Sequence, residues 1–311
     1  MPELPDIELY LHALRPRIVG ARVERVRVAS PFLLRSVEPP LTALEGHEVL
    51  AVRRLGKRIV WQMDDDVFAI IHLMIAGRFQ WKETGAKIPG KVGLAAFDFH
   101  HASLVLTEAG AKRRASLHLV RGEAELAAHD PGGIDVLAST DDEFSRALTR
   151  ENHTLKRALT DPHLVSGIGN AYSDEILHAA RLSPLQLTSR LDREQMRRLH
   201  RAAVEVLTSW RDRLIAETGD AFPEKVTAFR EGMAMHGRYG RPCPVCGTPV
   251  QRIRYAANEA NYCPTCQTQG RLLADRALSR LLRDDWPRSL EALEQHRAER
   301  RLTNSRGARR D

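Results

Sequence analysis

The first 130 residues combine one helix-like stretch with several short strand-like runs of apolar side chains. Ile7, Leu11 and Leu14 recur at helical spacing before Pro16, which predicts a short helix near the start of the chain. Clusters of Gly, Pro and Asp separate the apolar runs that follow, a pattern typical of a β-sandwich or barrel. The runs cover residues 23–28, 49–52, 59–61, 67–71, 94–97 and 103–106, with a hairpin turn at residues 100–102. We therefore predict a β-rich domain at residues 1–130.

The next part of the chain has a helical pattern. From Asp141 onward the apolar positions follow a helical period, and Asp141 or Asp142 is predicted to cap the first helix. A long amphipathic helix is predicted over residues 193–216. Residues 218–235 have a mixed, glycine-containing composition and predict a loop that orders when a ligand binds. We place this helical domain at residues 140–235.

Two glycines stand two residues apart just before a predicted helix start. Gly167 and Gly169 precede Asn170, so backbone N–H groups and one side-chain amide are expected to face outward there. The N-terminus of a helix with such free N–H groups is suited to phosphate binding. The alternative is a tight turn between two helices that simply requires glycine.

The chain has four cysteines, which form two Cys-x2-Cys pairs with sixteen residues between the pairs. They are Cys243, Cys246, Cys263 and Cys266. This spacing predicts one tetrahedral zinc site with four thiolate ligands. Two disulfides are the alternative, which a cytosolic setting disfavours. We place this module at residues 236–270, with a helical extension and a basic tail at residues 271–311.

The overall composition favours a polyanionic partner without proving one. The 47 Lys and Arg residues against 40 Asp and Glu residues give a net charge of +7. No apolar run approaches the length of about 20 residues that a membrane span needs. The N-terminus lacks the charged and apolar regions of a signal peptide. We expect a cytoplasmic protein.

The N-terminal Pro2 and Glu3 are candidates for covalent catalysis. Removal of Met1 would make Pro2 a free secondary amine, and an α-amino group has a pKa near 8, well below that of lysine. Such an amine can form a Schiff base with an aldehyde-type carbon, and Glu3 stands beside it as a possible proton carrier. The alternative is that Pro2 is a processing signal and Pro5 opens a helix.

Three segments of the β-rich domain have both a functional and a structural interpretation. The basic cluster at residues 53–58 places Lys57 where it can contact phosphate, or it is a solvated strand start. The apolar turn at residues 72–78 can act as a wedge between bases or can belong to the core. The basic loop at residues 110–114 is ambiguous by itself.

Taken together, the chain resembles the formamidopyrimidine-DNA glycosylase and endonuclease VIII family of base-excision repair enzymes. The motifs that carry this resemblance are, in order, residues 2–8 (PELPDIE), Lys57, His72, residues 167–172 (GIGNAY) and the four-cysteine module. It implies an α+β fold, in which an N-terminal helix and a two-layered β-sandwich precede a helix-two-turns-helix domain and a β-hairpin zinc finger.

The resemblance also implies the roles of individual residues. Pro2 would attack the sugar C1′ of a damaged nucleoside, Glu3 would shuttle protons, and Lys57 would belong to the same catalytic group. Lys57 would hold phosphates together with His72 and Asn170, and the strand would be cleaved by β,δ-elimination. The other side chains assigned to DNA binding are Ile75, Lys112, Arg113, Tyr172, Arg252, Arg254 and Asn258.

Several positions depart from the family pattern. Ile75 stands where the family has a wedge methionine, because Met74 lies one place early. The loop at residues 108–115 is longer than the family's second wedge loop and lacks its phenylalanine. Asn258 stands where the finger has an arginine, and an amide cannot replace a bidentate guanidinium, so Arg252 or Arg254 is the expected substitute.

Three classes of function remain open at this point. The first is a glycosylase with AP lyase activity that acts as a monomer on damaged double-stranded DNA near the nucleoid. The second is an inactive or weakly active damaged-DNA-binding protein on the same scaffold, for which Pro2→Gly would leave the affinity for DNA unchanged. The third is a zinc-ribbon adaptor for other proteins, which predicts no salt-dependent DNA binding.

Overall fold

The computed structural model describes residues 1–110, 112–255, 258–274, 287, 289–293 and 295. Contacts within the chain divide it into two compact units. The first unit consists of residues 1–147, 161–169 and 204–228, and the second of residues 148–160, 170–203 and the described residues from 229 onward. Each unit is therefore assembled from separate segments of the sequence.

The first unit contains one N-terminal helix and two antiparallel four-stranded sheets. The helix is α1 (Leu4–Ile18). One sheet has the strand order β1 (Val23–Val28), β6 (Gly93–Phe99), β7 (Ala102–Glu108) and β5 (Gly77–Lys82). The other has the order β2 (Val49–Leu55), β3 (Arg58–Met63), β4 (Val67–His72) and β8 (Ser116–Arg121). A short helix, α2 (Gly122–Ala128), follows β8 directly.

Both sheets and α1 contribute to one continuous apolar core. Trp61 of β3 and Phe97 of β6 are fully buried, and their rings meet edge to face with centroids 4.8 Å apart. Tyr10 of α1 meets Phe79 of β5 in the same geometry at 5.5 Å. Edge-to-face packing is favourable because the positive ring edge faces the negative ring face. This core fixes the two sheets as the layers of a sandwich.

The remaining elements are helical except for one hairpin. The helices are α3 (Asp141–Thr149), α4 (Leu155–Thr160), α5 (Asn170–Ala179), α6 (Arg193–Thr218) and α7 (Pro264–Thr268). The hairpin pairs β9 (Gln251–Tyr255) with β10 (Asn258–Tyr262). The second half of α6 belongs to the first unit, where Leu214 is buried in the core.

Every predicted strand-like run lies in a strand, but two strands were missed. β5 and β8 both alternate apolar and polar residues, through Phe79 and Trp81 in one and Leu117 and Leu119 in the other. That alternation is the period-2 signal of a half-buried strand and was available in the sequence. The hairpin turn between β6 and β7 is confirmed.

Two predictions about helix ends were wrong. The helix α3 is capped by Thr140 and not by Asp141 or Asp142: the Glu143 N–H donates to Thr140 Oγ1 at 3.3 Å, and the Thr140 N–H donates to Glu143 Oε2 at 2.8 Å. This reciprocal pair satisfies two backbone donors that a helix start leaves free. The helix α1 does not end before Pro16 but continues to Ile18, whose burial in the core offsets the hydrogen bond that proline cannot donate.

Most of the predicted extension at residues 271–311 lies outside the described residues, including its basic tail. Residues 271–274 are not helical, whereas residues 290–293 and 295 are. In the part of the chain that the structure describes, no helix has both the length and the apolar character to cross a membrane.

The aromatic pair in the sandwich core gives a stability prediction. Phe97→Ala should lower the free energy of unfolding by about 3–5 kcal/mol, because it removes a large buried ring and leaves a cavity beside Trp61. Phe32→Ala is the matched control, since Phe32 is 75% exposed and its loss should change stability by less than about 0.5 kcal/mol. Urea titrations followed by circular dichroism measure both, and equal effects would contradict the assignment of Phe97 to the core.

Candidate functional site

The start of α1 holds Glu3 in a buried position. Glu3 is the residue before the helix, and its backbone N–H donates to Asp6 Oδ2 at 2.8 Å. The Asp6 side chain therefore caps the helix start, because it accepts a hydrogen bond from the backbone N–H of Glu3. Glu3 is only 3% exposed, so its carboxylate needs partners inside the protein.

The glycine-rich turn before α5 provides those partners. The Gly169 N–H donates to Glu3 Oε2 at 2.6 Å, and the Leu4 N–H donates to the Gly167 carbonyl at 2.9 Å. A Cβ on residue 169 would lie 2.6 Å from Glu3 Cδ, and Gly167 has a φ of +83°, so both positions require glycine. The glycines thus have a structural role, which is to let this turn approach Glu3 at the start of α1.

The N-terminal amine lies close enough to Glu3 and Lys57 for their charges to affect its pKa. Burial lowers the pKa of the Met1 amine, while the negative charges of Glu3 and Asp6 oppose this shift. Burial also lowers the pKa of Lys57, which lies in the turn between β2 and β3, and Glu3 again opposes the shift. A desolvated amine loses its proton more easily, so this environment favours a nucleophilic nitrogen.

His72 and the turn after it lie at the end of β4. Burial, followed by the positive charges of Arg58 and Lys57, lowers the pKa of His72 to about 4, so its imidazole is neutral at pH 7. In the turn, Leu73 is buried, whereas Ile75 is 61% exposed. Met74 has a φ of +52°, which carries the chain around so that the next side chain points outward. Ile75 is thus the exposed apolar side chain of this turn.

In the second unit, a buried ion pair fixes the first turn of α5. Lys156 Nζ donates to the Asn170 carbonyl at 2.6 Å and to Asp174 Oδ1 at 2.5 Å. The other oxygen of Asp174 is hydrogen-bonded at 3.1 Å to His236 Nδ1 and, also at 3.1 Å, to Asn261 Nδ2. A buried ion pair is stable only when its remaining lone pairs are satisfied, as they are here.

Glu175, the next residue on α5, holds the chain where the predicted loop at residues 218–235 ends. Its carboxylate accepts the backbone N–H groups of Ala234, Met235 and His236 at 2.7–2.8 Å. Burial raises the pKa of Glu175, and the three N–H groups oppose that shift because they stabilise the charged form. The end of this segment is therefore anchored to α5.

The four cysteines meet at one point of the second unit. All four Sγ atoms lie within 4.8 Å of one another, with Cys246 and Cys263 at 3.3 Å and Cys243 and Cys266 at 3.9 Å. Tetrahedral zinc with Zn–S bonds of about 2.3 Å separates its sulfur ligands by about 3.8 Å, so the cluster fits one zinc ion. The ion would join the two pairs and stabilise the hairpin without taking part in a reaction.

A second group of metal-ligand atoms does not form such a site. His47, Asp64 and Asp65 also place their ligand atoms within 4.8 Å of one another. They lie near the protein surface, and His47 Nδ1 is already hydrogen-bonded to Asp64 Oδ1 at 2.7 Å. We therefore assign this group as a surface hydrogen bond between His47 and the turn that joins β3 to β4.

The basic residues predicted to bind DNA differ in their exposure and in the contacts that they make within the protein. Lys112, Arg113 and Arg254 are exposed, and Arg113 Nη2 donates to the Lys91 carbonyl at 2.5 Å. Arg252 is half-buried: its Nη1 lies 3.5 Å from Glu259 Oε2 and its guanidinium 4.2 Å from the centre of the Tyr239 ring. The side chain of Asn258 lies outside the described part of the chain.

The prediction that Tyr172 contacts DNA is not supported. Its side chain, in the first turn of α5, is fully buried. A side chain with no exposed surface cannot contact DNA in this conformation. Asn170, two residues earlier, is partly exposed at the helix start.

Two functional contacts were missed from the sequence. Arg54 forms a half-buried double ion pair with Glu8 at 2.8 Å and Asp135 at 2.5 Å, which links α1, β2 and the chain after α2. Asp174 and Lys156 form the buried pair described above. Both involve partners separated by 18 to 81 residues, which local spacing does not reveal.

The close contact between Gly169 and Glu3 gives a second prediction. Gly169→Ala should lower the free energy of unfolding by about 1–3 kcal/mol, because the added methyl group overlaps the Glu3 carboxylate. Gly90→Ala is the control, since a Cβ there meets no atom within 4 Å. Urea titrations compare the two variants. A Gly169→Ala protein as stable as the Gly90→Ala protein would contradict the close contact between Gly169 and the Glu3 carboxylate.

The cysteine cluster predicts one zinc ion per chain. Cys263→Ser should lose the metal and leave residues 240–269 open to proteolysis, because so small a module depends on its metal. Thr265→Ser, inside the same Cys-x2-Cys turn, keeps the hydroxyl that lies 2.8 Å from Thr248 Oγ1 and should retain zinc. Elemental analysis and limited proteolysis test both variants. Full protection of a zinc-free Cys263→Ser protein would contradict a structural metal.

Three family models match consecutive parts of the chain. They describe a formamidopyrimidine-DNA glycosylase N-terminal domain at residues 1–124, a formamidopyrimidine-DNA glycosylase H2TH domain at residues 133–210, and a zinc finger found in FPG and IleRS at residues 240–269. These matches confirm the predicted α+β fold class, with its sandwich, helix-two-turns-helix domain and finger. The finger match and the cysteine geometry together confirm one zinc ion held by four cysteines.

Similar proteins extend over most of the chain. A formamidopyrimidine-DNA glycosylase of Thermus thermophilus is 33% identical over 282 residues, which cover 87% of this chain and 100% of that protein. An uncharacterized formamidopyrimidine-DNA glycosylase-like protein of Mycobacterium tuberculosis is 40% identical over 151 residues, 49% of this chain and 94% of that one.

Solved structures agree with this relationship. The crystal structure of the MutM (Fpg) protein from Thermus thermophilus is 30% identical with a TM-score of 0.72, and covers 86% of this chain and 98% of that one. A Lactococcus lactis Fpg in complex with DNA that contains an abasic site has a TM-score of 0.76 at 23% identity, over 86% of this chain and 99% of that one, a likeness of fold alone. With matches that span both units and the finger, this chain belongs to the formamidopyrimidine-DNA glycosylase family.

Proposed function

We propose that this protein is a DNA repair glycosylase with AP lyase activity that excises an oxidised base from double-stranded DNA. The observation that carries the proposal is the cluster at the N-terminus, where Pro2 and the Glu3 carboxylate are both buried and the desolvated Lys57 lies close enough to Glu3 to be affected by its charge. The names of the relatives, formamidopyrimidine-DNA glycosylases, support the same activity. The predicted ranges 1–130, 140–235 and 236–270 are proposed as the domains that carry it, in the cytoplasm near the nucleoid.

The proposed reaction begins at the nitrogen of Pro2 once Met1 has been removed. Its lone pair attacks the sugar C1′ while the electrons of the glycosidic bond leave with the base, which takes up a proton. As the ring opens, Glu3 donates a proton to O4′, the nitrogen gives up its own proton to solvent, and the nitrogen and C1′ form a positively charged imine (an iminium ion). The imine acidifies C2′–H, so the 3′ phosphate leaves by β-elimination. Loss of a C4′ proton then expels the 5′ phosphate, and water hydrolyses the imine.

DNA binding is proposed to use the side chains that the family resemblance assigns to it. Lys57, His72 and Asn170 are each proposed to hold a phosphate near the extruded nucleotide. Ile75 is the proposed wedge, because it is the exposed apolar side chain of its turn and can fill the gap that base extrusion leaves. Arg252 or Arg254 would contact the backbone in place of the arginine that Asn258 replaces, and Lys112 and Arg113 would add contacts from their exposed loop.

Blocking only the proline nitrogen tests the proposal. A single serine in front of Pro2 converts its nitrogen into an amide, which has no nucleophilic lone pair, and leaves every side chain unchanged. We expect the processed protein to form a borohydride-trapped adduct with duplex DNA that carries an abasic site. The extended protein should form at least about 100-fold less adduct, because general catalysis alone does not replace a covalent nucleophile.

The matched control is the same chain after a protease has removed the serine, which should restore trapping. Oxidised purines and oxidised pyrimidines placed in otherwise identical duplexes then rank the substrates. Equal trapping with and without the serine would contradict the role of Pro2. Tight DNA binding with no adduct from protein that demonstrably lacks Met1 would favour the inactive damaged-DNA-binding protein.

A further inference from the structure

A group of histidines lies on the outer face of the sheet formed by β2, β3, β4 and β8. In the register of this sheet, Arg58 of β3 pairs with His72 of β4, and Ile70 pairs with His118 of β8. Residues two apart on a strand share a face, so His72 lies on the same face as Ile70 and diagonally next to His118. Three neighbouring strands thus bring one guanidinium and two imidazoles together.

The end of α2 adds a third imidazole to this face. The rings of His118 and His129 are 4.8 Å apart between centroids. Arg58 Nη1 donates a hydrogen bond to the His129 carbonyl, which fixes the residue against β3. Arg58, His118 and His129 are all half-buried, so their positions are set by packing and they retain access to solvent. We call Arg58, His118 and His129 together the histidine cluster, which does not include His72.

The surroundings of the cluster are predominantly positive. The charged groups that act on His72 are Arg58, Lys57 and His118. Those that act on His118 are His129, Arg58 and Arg35. His129 experiences the positive charge of Arg58 and the negative charge of Glu125. Asp130 is the acid that faces Arg58. Within the described part of the chain, no carboxylate forms an ion pair with Arg58, His118 or His129. Arg58 supplies a positive charge without an ion-pair partner among the described residues, and the two imidazoles beside it can take up protons, so this half-buried face is suited to an external anion.

The cluster continues directly from residues that already have a proposed DNA contact. Lys57 precedes Arg58 in the chain, and His72 is the cross-strand partner of Arg58. Arg58 therefore lies beside both residues, close enough for Arg58 and Lys57 to affect the pKa of His72. Imidazole N–H and guanidinium groups donate hydrogen bonds to phosphate oxygens, and the guanidinium does so with two parallel bonds.

We propose that Arg58, His118 and His129 form a further phosphate-binding site, which holds the DNA backbone beyond the phosphates contacted by Lys57 and His72. This inference rests on the proposed function, because it extends the DNA-binding surface of that same activity. It assigns His118 and His129 a role that neither the sequence pattern nor the similar proteins indicated.

Binding at this site takes up protons. Burial is the largest cause that lowers the pKa of His118 and of His129, and neighbouring positive charge adds to it, so both imidazoles are neutral in the free protein at neutral pH. A bound phosphate has the opposite charge and raises both pKa values. Because the complex then holds more protons than the free protein, affinity for DNA must rise as the pH falls.

The experiment measures the affinity of the full chain for a duplex with a non-cleavable abasic-site analogue. Fluorescence anisotropy gives Kd between about 50 and 200 mM salt, at about pH 6 and pH 8. For the double variant His118→Gln with His129→Gln, we expect binding about tenfold weaker at pH 6, the loss of one charge-assisted hydrogen bond. The slope of log K against log salt should shrink by about one, and the gain in affinity from pH 8 to pH 6 should be smaller than in the wild type.

Two further variants separate this role from a merely structural one. His100→Gln, at the exposed turn between β6 and β7, is the matched control and should keep the salt slope and pH dependence of the wild type. His129→Lys places a permanent positive charge at the site and should keep the affinity while its pH dependence weakens. If the double variant fails to fold, His129→Gln alone is measured against the same expectations.

Two results would overturn the proposal, and they are distinguishable. A folded double variant with the salt slope and pH dependence of the wild type, alongside wild-type protein that is trapped on abasic DNA, would overturn the phosphate site and leave the proposed function intact. A wild type that neither binds the analogue nor is trapped would overturn the proposed function and this site with it.

Discussion

The hydrogen bond from the Gly169 N–H to the Glu3 carboxylate is the contact on which the candidate site depends. It joins residues 166 positions apart in the chain and is buried. A buried carboxylate without donors would take up a proton or move toward water, so this bond decides where Glu3 can be. The Leu4 N–H to the Gly167 carbonyl adds a second bond between the same segments. Together with the packing of α1 in the sandwich core, these two bonds fix the first residues of the helix and the N-terminal amine next to them.

The same arrangement accounts for the electrostatics of the N-terminus. Burial lowers the pKa of both the amine and Lys57, while Glu3 partly restores it for each. If Glu3 were displaced, Lys57 would lose the negative charge that opposes its desolvation, and the amine would keep only Asp6. The carboxylate therefore stabilises both positive charges in the interior, and it is also the group proposed to transfer a proton. Structural support and proposed chemistry use one side chain.

Local sequence patterns predicted most of the fold, but they did not predict contacts between residues that are far apart in the chain. The six strand-like runs, the start of α5 at Asn170 and the zinc site follow from spacing within a few residues, and each was found. The cap of α3 was misjudged because Asp141, Asp142 and Thr140 all suit a helix start, and only Glu143 reaching back to Thr140 distinguishes them. The ion pairs of Arg54 and the histidine cluster require the order of the strands, which no local pattern supplies.

If Ile75 acts as the proposed wedge, in place of the methionine that the family resemblance implies, its shape has a physical consequence. Methionine has three rotatable side-chain bonds and adapts to irregular gaps, whereas isoleucine is stiff at its branched Cβ. An exposed Ile75 therefore loses less conformational entropy when it is confined between bases, but it fills a gap of only one shape. The left-handed backbone of Met74 restricts the turn further. A rigid wedge would favour DNA that is already weakened at one site, because such DNA can adjust to the side chain more readily than the side chain can adjust to it.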